Sequence, residues 1–475
     1  MKRKQTIRLG IAALLLGAAA GAWIACEPAS PEELPPNIVL LVLDTVRADH
    51  VSCYGYERPT TPSIDALAEH AVRYTECRAT GPWTLPSHAS MFTGQFAFQH
   101  RADIAQDENG EWDDRPLAEE HFTLAEALGE MGYRTGGFVA NEAFLREEFQ
   151  LDQGFDDYEV KNEAGVIKND TAFTWLEQNR EPFFLFLNYM DAHRPYNVTP
   201  LENGRMSDLS WEGEPTSVQL LRQMYGIVLA NEKTPPAKLV EQLTACYDLG
   251  VANADVAVGG VIAELKRRGL WENTLLIVTS DHGEFLGEHG LVEHSKDIYE
   301  QTLHVPLIVK FPGSEETRVE TSLVSLADLP RIVASAMPAP LRDELHDLYP
   351  LAPDRGFLLA EINMTRKKDL NASYGHRFRR KRDVFYADVY KLIRSSDAQH
   401  ELYDLRVDPE ELNNLYTEKS ELVEQLTRRL EQYIRDHPAE HEAAQVPEPN
   451  AAMTDAMTHT GYAGEDRDKK KPDQE

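Results

Sequence analysis

Short apolar runs that end at acidic residues or histidine are the feature of this sequence that most limits its fold. One run ends at Asp44, and another ends at Asp281 and His282. Uninterrupted apolar runs of this length are typical of strands buried on both faces of a parallel sheet. We therefore expect central strands whose carboxyl ends carry reactive side chains. The runs are residues 37–43, 182–188, 274–280 and 304–310.

Helical patterns alternate with these runs and predict an α/β fold. Strand and helix in alternation indicate a doubly wound, mostly parallel sheet flanked by helices, with ligands bound at the carboxyl ends of the strands. From about residue 356 the pattern changes to a smaller antiparallel α+β subdomain. There, residues 383–393 read as one strand, and residues 421–437 as an amphipathic closing helix capped by Ser420. The earlier helical stretches are residues 62–69, 123–131, 238–268 and 326–334.

Composition excludes several classes of protein. The 475 residues carry 48 Lys and Arg against 79 Asp and Glu, so the formal net charge is −31. Such acidity argues against nucleic acid as the main partner. The 42% apolar fraction excludes general disorder, and 27% charged residues exclude a polytopic membrane protein. A basic island at residues 366–368 and 377–382 reads either as a solvated hairpin or as a rim that attracts an anionic glycan or lipid headgroup.

The amino-terminal segment reads as a targeting signal. Basic residues precede an apolar run that is shorter than the ~20 residues needed to span a bilayer, so residues 1–25 are interpreted as a signal peptide. The run ends at Cys26 in a sequence that resembles a bacterial lipobox, although Trp23 replaces the usual aliphatic residue. We expect an exported periplasmic or cell-surface lipoprotein, attached to the membrane through acylated Cys26. The alternatives are an uncleaved anchor and simple secretion.

These patterns divide the chain into predicted regions. Cys53, Cys77 and Cys246 can form at most one disulfide, and buried free thiols are expected. The predicted regions are a signal peptide (1–25), a proline-containing tether (26–36), a catalytic domain (37–355), a C-terminal subdomain (356–443) and a disordered tail (444–475).

The strand-end residues suggest a metal site. A carboxylate at one strand end and an Asp–His pair at another can converge on one ion, although a strand-end Asp is as often a turn former. Thr84 lies just ahead of a helix expected to begin near Pro86. The unpaired N–H groups at a helix start favour an anion, although Thr84 could instead be only a helix cap.

Five motifs, in order, give the chain a resemblance to a sulfatase of the alkaline phosphatase superfamily, from about residue 37 to residue 433. The motifs are LVLDTVRADH, WTLPSHASMFTG, LFLNYMDAHRPY, VTSDHGEFLGEHGLVEHSKDIYE and ELYDLRVDPEELNNL. The resemblance implies that Thr84 is the nucleophile, that His193 acts near the leaving oxygen and that Lys296 pairs with a substrate oxygen. His289 and His294 lie near Lys296 in the sequence, and we expect structural roles for both. The implied metal ligands are Asp44, Thr84, Asp281 and His282.

The departures from the sulfatase pattern matter as much as the matches. Active sulfatases carry a Cys or Ser that is oxidised to formylglycine, and the β-methyl group of Thr84 prevents that oxidation. His88 replaces the supporting arginine, Thr45 replaces the second of two aspartates, and Asn141 lies near the place of an expected lysine. With Arg47, these three residues are the possible supporting groups of the site.

The remaining set resembles the single-metal threonine sites of phosphoethanolamine and glycerol-phosphate transferases. A threonine sulfate cannot lose its sulfate through a hemiacetal, whereas a phosphothreonine can be discharged by water or an alcohol. We therefore expect an ester hydrolase that cleaves a phosphoester or phosphonate through a covalent Thr84 intermediate. One divalent ion, Mn, Ca or Zn, is expected. The substrate is an anionic ester on a sulfated or phosphorylated glycan, a lipid headgroup or a small molecule. The alternatives are a sulfuric ester hydrolase, a phospho-group transferase and a non-catalytic lipoprotein that binds an anion or glycan.

Overall fold

An eight-stranded sheet forms the centre of the protein. The computed structural model describes residues 34–106, 112–179, 182–196, 216–349 and 356–446. The strands are β1 (Asn37–Leu43), β2 (Val72–Tyr74), β3 (Cys77–Arg78), β4 (Ile104–Gln106), β5 (Trp112–Asp114), β6 (Arg134–Val139), β7 (Asp157–Val160), β8 (Phe183–Tyr189), β9 (Thr274–Thr279), β10 (Phe285–Leu286), β11 (Val292–Glu293), β12 (Leu307–Lys310), β13 (Arg318–Glu320), β14 (Val324–Ser325), β15 (Phe357–Ile362), β16 (Arg382–Ala387), β17 (Tyr390–Ser395) and β18 (Glu401–Asp404).

The predicted α/β class is confirmed. The strand order of the large sheet is β13-β2-β12-β9-β1-β8-β6-β7. β1 lies between β8 and β9 and is parallel to both, while β12 is antiparallel to β9 and β2. Alternate β1 residues enter two hydrophobic cores, one on each face of the sheet. This double burial, at about 1.5–3 kcal/mol for each large apolar side chain, explains why β1 is apolar throughout.

Helices cover the sheet. Helix α7 is the longest described, and Gly250 within it is required because a Cβ there would collide with the backbone of Asp191. Among the described residues, α7 alone has the length and composition to cross a membrane, but most of its apolar window is buried inside the protein. The helices are α1 (Pro62–Ala68), α2 (Thr84–Thr93), α3 (Ala97–His100), α4 (Leu124–Glu130), α5 (Gly165–Gln178), α6 (Ser217–Met224), α7 (Ala237–Arg268), α8 (Glu300–Leu303), α9 (Leu329–Ser335), α10 (Ala339–Leu348), α11 (Lys367–Leu370) and α12 (Ser420–Asp436).

The C-terminal part contains a four-stranded antiparallel sheet, in the order β15-β16-β17-β18, with the apolar face of α12 in the same core. Two details of the sequence prediction are wrong. Residues 383–393 form the hairpin of β16 and β17 instead of one strand, because Asp388 takes a left-handed turn conformation (φ 55°). Ser420 begins α12 but does not cap it: Lys419 occupies the cap position and makes no side-chain hydrogen bond there.

Several predictions are not tested by this architecture. The signal peptide (1–25), Cys26 and most of the tether lie outside the described residues, as does the tail from residue 447. The boundary between a catalytic domain and a C-terminal subdomain stays a prediction. Cys53, Cys77 and Cys246 are free, and two of them are buried, as expected.

Candidate active site

Parallel strands bring the predicted metal ligands together. Asp44 follows β1, while Asp281 and His282 follow the adjacent strand β9. His282 Nε2 lies 3.4 Å from Asp281 Oδ2 and 3.9 Å from Asp44 Oδ1, and one ligand atom of each residue lies within 4.8 Å of the others. All three side chains are fully buried. Strand adjacency therefore places two carboxylates and an imidazole at one point.

These residues fit a divalent cation. Asp44 Oδ1, Asp281 Oδ2 and His282 Nε2 are buried and have no hydrogen-bond partner among the described residues. His282 Nδ1 donates to the Gly283 carbonyl at 2.9 Å, which fixes the tautomer and leaves Nε2 as a lone-pair donor. Burial raises the pKa of Asp44 and Asp281 to about 7, and for Asp44 the charge of Asp281 contributes. A cation would satisfy all three atoms and remove the repulsion between the carboxylates.

Backbone donors orient Asp281. Its Oδ1 accepts from the N–H of Thr45 at 3.2 Å and from its neighbour His282 at 2.9 Å, so Oδ2 is left for a cation. Thr45 has a φ of 64°, a left-handed conformation that costs a β-branched residue about 1–3 kcal/mol. Thr45 therefore serves the site through its backbone, although it lacks the carboxylate of the sulfatase pattern.

Asn141 links Thr84 to the metal ligands. Its Nδ2 donates to Thr84 Oγ1 at 3.2 Å and to Asp44 Oδ2 at 2.9 Å. The backbone N–H groups of Ala143 and Phe144 bind its Oδ1, so the orientation of the amide is fixed. Thr84 is the first residue of α2 and is fully buried. The structure thus holds the predicted nucleophile beside Asp44.

His88 lies one turn further along α2. Its Nδ1 donates to the Thr84 carbonyl at 2.9 Å, and the ring lies 3.7 Å from Asp281 Oδ2. Burial lowers the pKa of His88 to about 3, so the imidazole is neutral. His88 therefore occupies the position in the motif where an arginine is expected, but it does not supply the positive charge of an arginine.

His193 is brought to the same region by the loop after β8. Its ring lies 5.1 Å from that of His294, which lies 4.6 Å from that of His282. Burial, together with the charge of Arg194, lowers the pKa of His193 well below its usual value. Its Nδ1 donates to the Arg194 carbonyl at 2.6 Å, so Nε2 of the neutral ring is an acceptor. The environment does not hold His193 protonated, as a general acid would require.

The side chains of Arg47, Lys296 and His289 contact residues other than the three ligands. Arg47 pairs with Asp49 at 2.6 Å and Glu288 at 2.7 Å, and so anchors two loops. Lys296 is buried in a group of ion pairs next to His294. His289 stacks on Tyr299 with ring centroids 3.8 Å apart, in agreement with a structural role.

The sequence did not reveal the buried ion-pair group around Lys296, in which Glu293 and Asp369 pair with Lys296 and with the neighbouring arginines. Arg194, Glu293 and Asp369 were not singled out, and Arg366 was noticed only as part of the basic island. Both Arg194 and Glu293 had one signal, a position in a motif next to a histidine, His193 for Arg194 and His294 for Glu293. The rest of the island is largely engaged inside the protein: Arg380 and Arg382 pair with Asp297, and Arg377 donates to main-chain carbonyls.

The order of the strands and the position of the candidate metal site at their carboxyl edge define an alkaline phosphatase-like fold. Two solved structures share this fold. The phosphonate monoester hydrolase of Agrobacterium radiobacter matches with a TM-score of 0.64 and 19% identity, over 85% of this chain and 96% of that one. An enzyme in complex with its substrate D-glucosamine-2-N,6-O-disulfate matches with a TM-score of 0.63 and 19% identity, over 86% and 100%.

Sequence comparisons give the family. The sulfatase family model matches residues 36–339, and the model of the N-sulphoglucosamine sulphohydrolase C-terminal region matches residues 287–436. The chain therefore belongs to the sulfatase family. Arylsulfatase K of Canis lupus familiaris is 25% identical, over 84% of this chain and 82% of its own. The N-acetylglucosamine-6-O-sulfatase of Bacteroides thetaiotaomicron is 23% identical, over 92% of each chain.

These findings establish a sulfatase-family hydrolase, and the family generally uses a metal ion. They also bear on the choice between substrates. The related sequences are named for sulfate esters, whereas the phosphonate enzyme enters only as a structural neighbour. The comparisons therefore favour the alternative prediction, a sulfuric ester hydrolase, over the phosphoester or phosphonate prediction.

Proposed function

We propose that this protein hydrolyses a sulfate ester on a small saccharide, with Thr84 as the nucleophile. The observation that carries the proposal is the Asn141 amide, which holds Thr84 Oγ1 and Asp44 Oδ2 together next to Asp281 and His282. Hydroxyl nucleophiles are weak unless their surroundings position them and accept their proton. The names of the related sequences support a sulfated saccharide as the substrate.

The residues suggest a two-step reaction. A divalent cation held by Asp44, Asp281 and His282 would supply charge stabilisation for the sulfate oxygens. Thr84 Oγ1 attacks sulfur while its proton passes to the Asp281 carboxylate, and the bond from sulfur to the ester oxygen breaks. The alcohol leaves with a proton from water. In the second step water attacks sulfur, and His193, as a neutral acceptor, takes the proton of that water. The bond from sulfur to Thr84 Oγ1 breaks as the sulfate leaves, and Thr84 Oγ1 recovers the proton that Asp281 had accepted.

A panel of substrates tests this proposal. The purified protein, reconstituted with Mn²⁺, is assayed on matched aryl esters: a sulfate, a phosphate monoester, a phosphodiester and a phosphonate. We expect the sulfate ester to have the highest kcat/KM. A preference for the phosphodiester or phosphonate would contradict the choice of sulfate and favour the second candidate below. No turnover of any ester would favour an anion-binding protein.

The second candidate is a threonine-based phosphoesterase or phosphonate hydrolase. The identity of residue 84 favours it, because a phosphothreonine can be discharged by water or an alcohol, whereas a threonine sulfate has no hemiacetal route. The same intermediate, discharged to an alcohol, would make the protein a phospho-group transferase. Product analysis with added glycerol separates these outcomes, since a transferase forms glycerol phosphate.

We further propose that the protein is exported and anchored through a lipid on Cys26. The basic segment, the apolar run and the cysteine at its end support this proposal. In a bacterial host fed with labelled palmitate, we expect labelling of the wild type and of Cys53→Ser, and none of Cys26→Ser. Equal labelling of all three proteins, or of none, would contradict the proposal.

A further inference from the structure

The hydroxyl group of Tyr247 joins the long helix α7 to the turn that follows β1. Tyr247 is fully buried within α7. Its hydroxyl donates to the carbonyl oxygen of Thr45 at 2.7 Å and accepts from the backbone N–H of Arg47 at 2.9 Å. A tyrosine hydroxyl has a single proton to donate, and here that proton is engaged by Thr45. One side chain therefore holds both ends of a turn that lies 202 and 200 positions away in the sequence.

The turn held by Tyr247 contains a strained residue beside a metal ligand. Thr45 directly follows Asp44 and has a φ of 64°. In the left-handed region the Cβ of an L-residue lies too close to a carbonyl oxygen, and a β-branched side chain adds to this crowding. The Thr45 hydroxyl donates to the carbonyl of Asp44 at 2.7 Å, which is a contact within the turn. Contacts from outside the turn are needed to keep such a conformation in place.

The strained peptide orients a metal ligand. The Thr45 N–H donates to Asp281 Oδ1 at 3.2 Å, and this contact leaves Oδ2 of the carboxylate for a cation. The N–H and the carbonyl group of one residue are related through only two soft dihedral angles. A Thr45 carbonyl held by Tyr247 therefore constrains the direction in which the Thr45 N–H points.

Neighbouring rings hold Tyr247 in place. The ring of His50 makes an edge contact with that of Tyr247, with the ring centroids 5.0 Å apart, and Tyr196 makes another at 5.9 Å. His50 Nδ1 lies 2.7 Å from Oδ1 of Asp248, which follows Tyr247 in α7. Edge-to-face packing of buried rings restricts their movement. The position of the Tyr247 hydroxyl is thus fixed by packing within the protein.

Helix α7 also contacts the loop after the neighbouring strand. A Cβ on Gly250 would lie 2.3 Å from the carbonyl oxygen of Asp191, so α7 packs directly on the backbone of the loop after β8. That loop carries His193. Tyr247 and Gly250 are three residues apart and therefore share one face of the helix. Because β1 and β8 are adjacent strands, one helix face contacts two neighbouring strand ends of the candidate active site.

We propose that Tyr247 is a positioning residue for the metal centre. Its hydroxyl holds the Thr45 peptide in the left-handed conformation, so that the Thr45 N–H binds Asp281 Oδ1 and Oδ2 stays available to the cation. This inference rests on the proposed function, because it assumes that Asp44, Asp281 and His282 hold a divalent cation. Loss of a group that orients metal ligands through hydrogen bonds typically costs about 10–100-fold in metal affinity or activity.

Metal affinity tests the proposal without any substrate. The full chain is freed of metal with a chelator and titrated with Mn²⁺, and free Mn²⁺ is measured by its electron paramagnetic resonance signal. Tyr247→Phe keeps the ring and loses only the hydroxyl, and we expect it to bind Mn²⁺ about tenfold more weakly than the wild type. Tyr349→Phe is the matched control, because it removes a buried hydroxyl that donates to the carbonyl of Phe92 at 3.0 Å. It should leave the affinity for Mn²⁺ unchanged.

A second background separates positioning from general stability. Glycine adopts positive φ about as readily as negative φ, so Thr45→Gly does not need the hydrogen bond from Tyr247 to keep this conformation. In the Thr45→Gly background we expect Tyr247→Phe to weaken Mn²⁺ binding by about threefold or less. Melting curves verify that each variant is folded. If Tyr247→Phe unfolds in the wild-type background, the comparison within the Thr45→Gly background retains the test, and a tenfold loss there would contradict the proposal.

Two further results would overturn the proposal: an unchanged affinity for Mn²⁺ in folded Tyr247→Phe, or a loss of the same size in both backgrounds. Failure of the proposed function has a different signature. If the protein hydrolyses no ester, the Mn²⁺ titrations can still be measured. A sulfatase whose Tyr247→Phe variant binds Mn²⁺ as tightly as the wild type would contradict only the role of Tyr247. Absence of Mn²⁺ binding by the wild type would overturn the metal site and this proposal together.

Discussion

Replacing Thr84 by valine should lower kcat/KM on the best substrate by at least about 10³-fold, because the nucleophilic oxygen is lost while the shape of the side chain is kept. Thr84 is fully buried, so the shape matters for folding. Thr84→Ser retains the hydroxyl and should stay within about tenfold of the wild type. Stopped-flow assays of the three proteins measure both changes.

Thr93→Ala is the matched control for this experiment. Thr93 lies at the other end of α2 and uses its hydroxyl to bind the Ala89 carbonyl at 2.7 Å, away from the metal ligands. Its loss should leave kcat/KM nearly unchanged.

The covalent intermediate gives a second readout. Because a threonine sulfate can be discharged only by attack of water at sulfur, it should accumulate and produce a burst of product. Mass spectrometry of the quenched wild type should then show the mass of one SO₃ group on the peptide that contains Thr84. Full activity of Thr84→Val would exclude Thr84 as the nucleophile.

The departures from the sulfatase pattern change the charge of the site. The resemblance implies an arginine and a lysine at two places in the site. This chain has His88, which is neutral, in place of the arginine, and Asn141, an uncharged amide, near the place of the lysine. Thr45 removes one negative charge. The side chains next to Thr84 therefore carry less positive charge than the sulfatase pattern implies. The group that donates a hydrogen bond to the neutral Thr84 hydroxyl is the neutral amide of Asn141. The charge that attracts an anionic substrate would then come chiefly from a cation held by Asp44, Asp281 and His282.

The sequence predicted the strand ends well, for a simple reason. Parallel strands end at the same edge of a sheet, so Asp44, Asp281 and His282 had to come close once β1 and β9 were neighbours. The apolar runs and the order of the motifs were sufficient to predict that these three residues meet. The roles of Thr84 and His193 in catalysis stay predictions.

The buried ion pairs of Glu293 could not be predicted, because their members come from distant parts of the chain. Arg194, Glu293 and Arg366 are separated by 99 and 73 positions (293 − 194 and 366 − 293) and meet only through tertiary packing. A basic residue in a sequence does not indicate whether its partner is water or a carboxylate. For the same reason, the protonation of His193 could not be read from its motif, since it depends on burial.

Removal of the metal should abolish activity, by about 10³-fold or more, and should also make stability depend on pH. In the metal-free protein, burial raises the pKa of Asp44 and Asp281 from 3.8 to about 7. The folded state then holds protons more tightly than the unfolded chain does. The stability of the metal-free protein should therefore fall as pH rises through the window from about 4 to about 7.

Added metal should reverse this trend, because its ligands must be deprotonated. We expect the increase in Tm on addition of Mn²⁺ to be larger at about pH 8 than at about pH 5. Asp281→Asn should lose both the activity and the metal-dependent increase in Tm. Asp103→Asn is the control, because Asp103 is also a buried carboxyl with a raised pKa, about 8, but it binds Trp83 and Asn363 instead of lying among the metal ligands. A metal effect on Tm that is equal at both pH values, or that survives in Asp281→Asn, would mean that the cation is not held by the Asp44–Asp281 carboxylates.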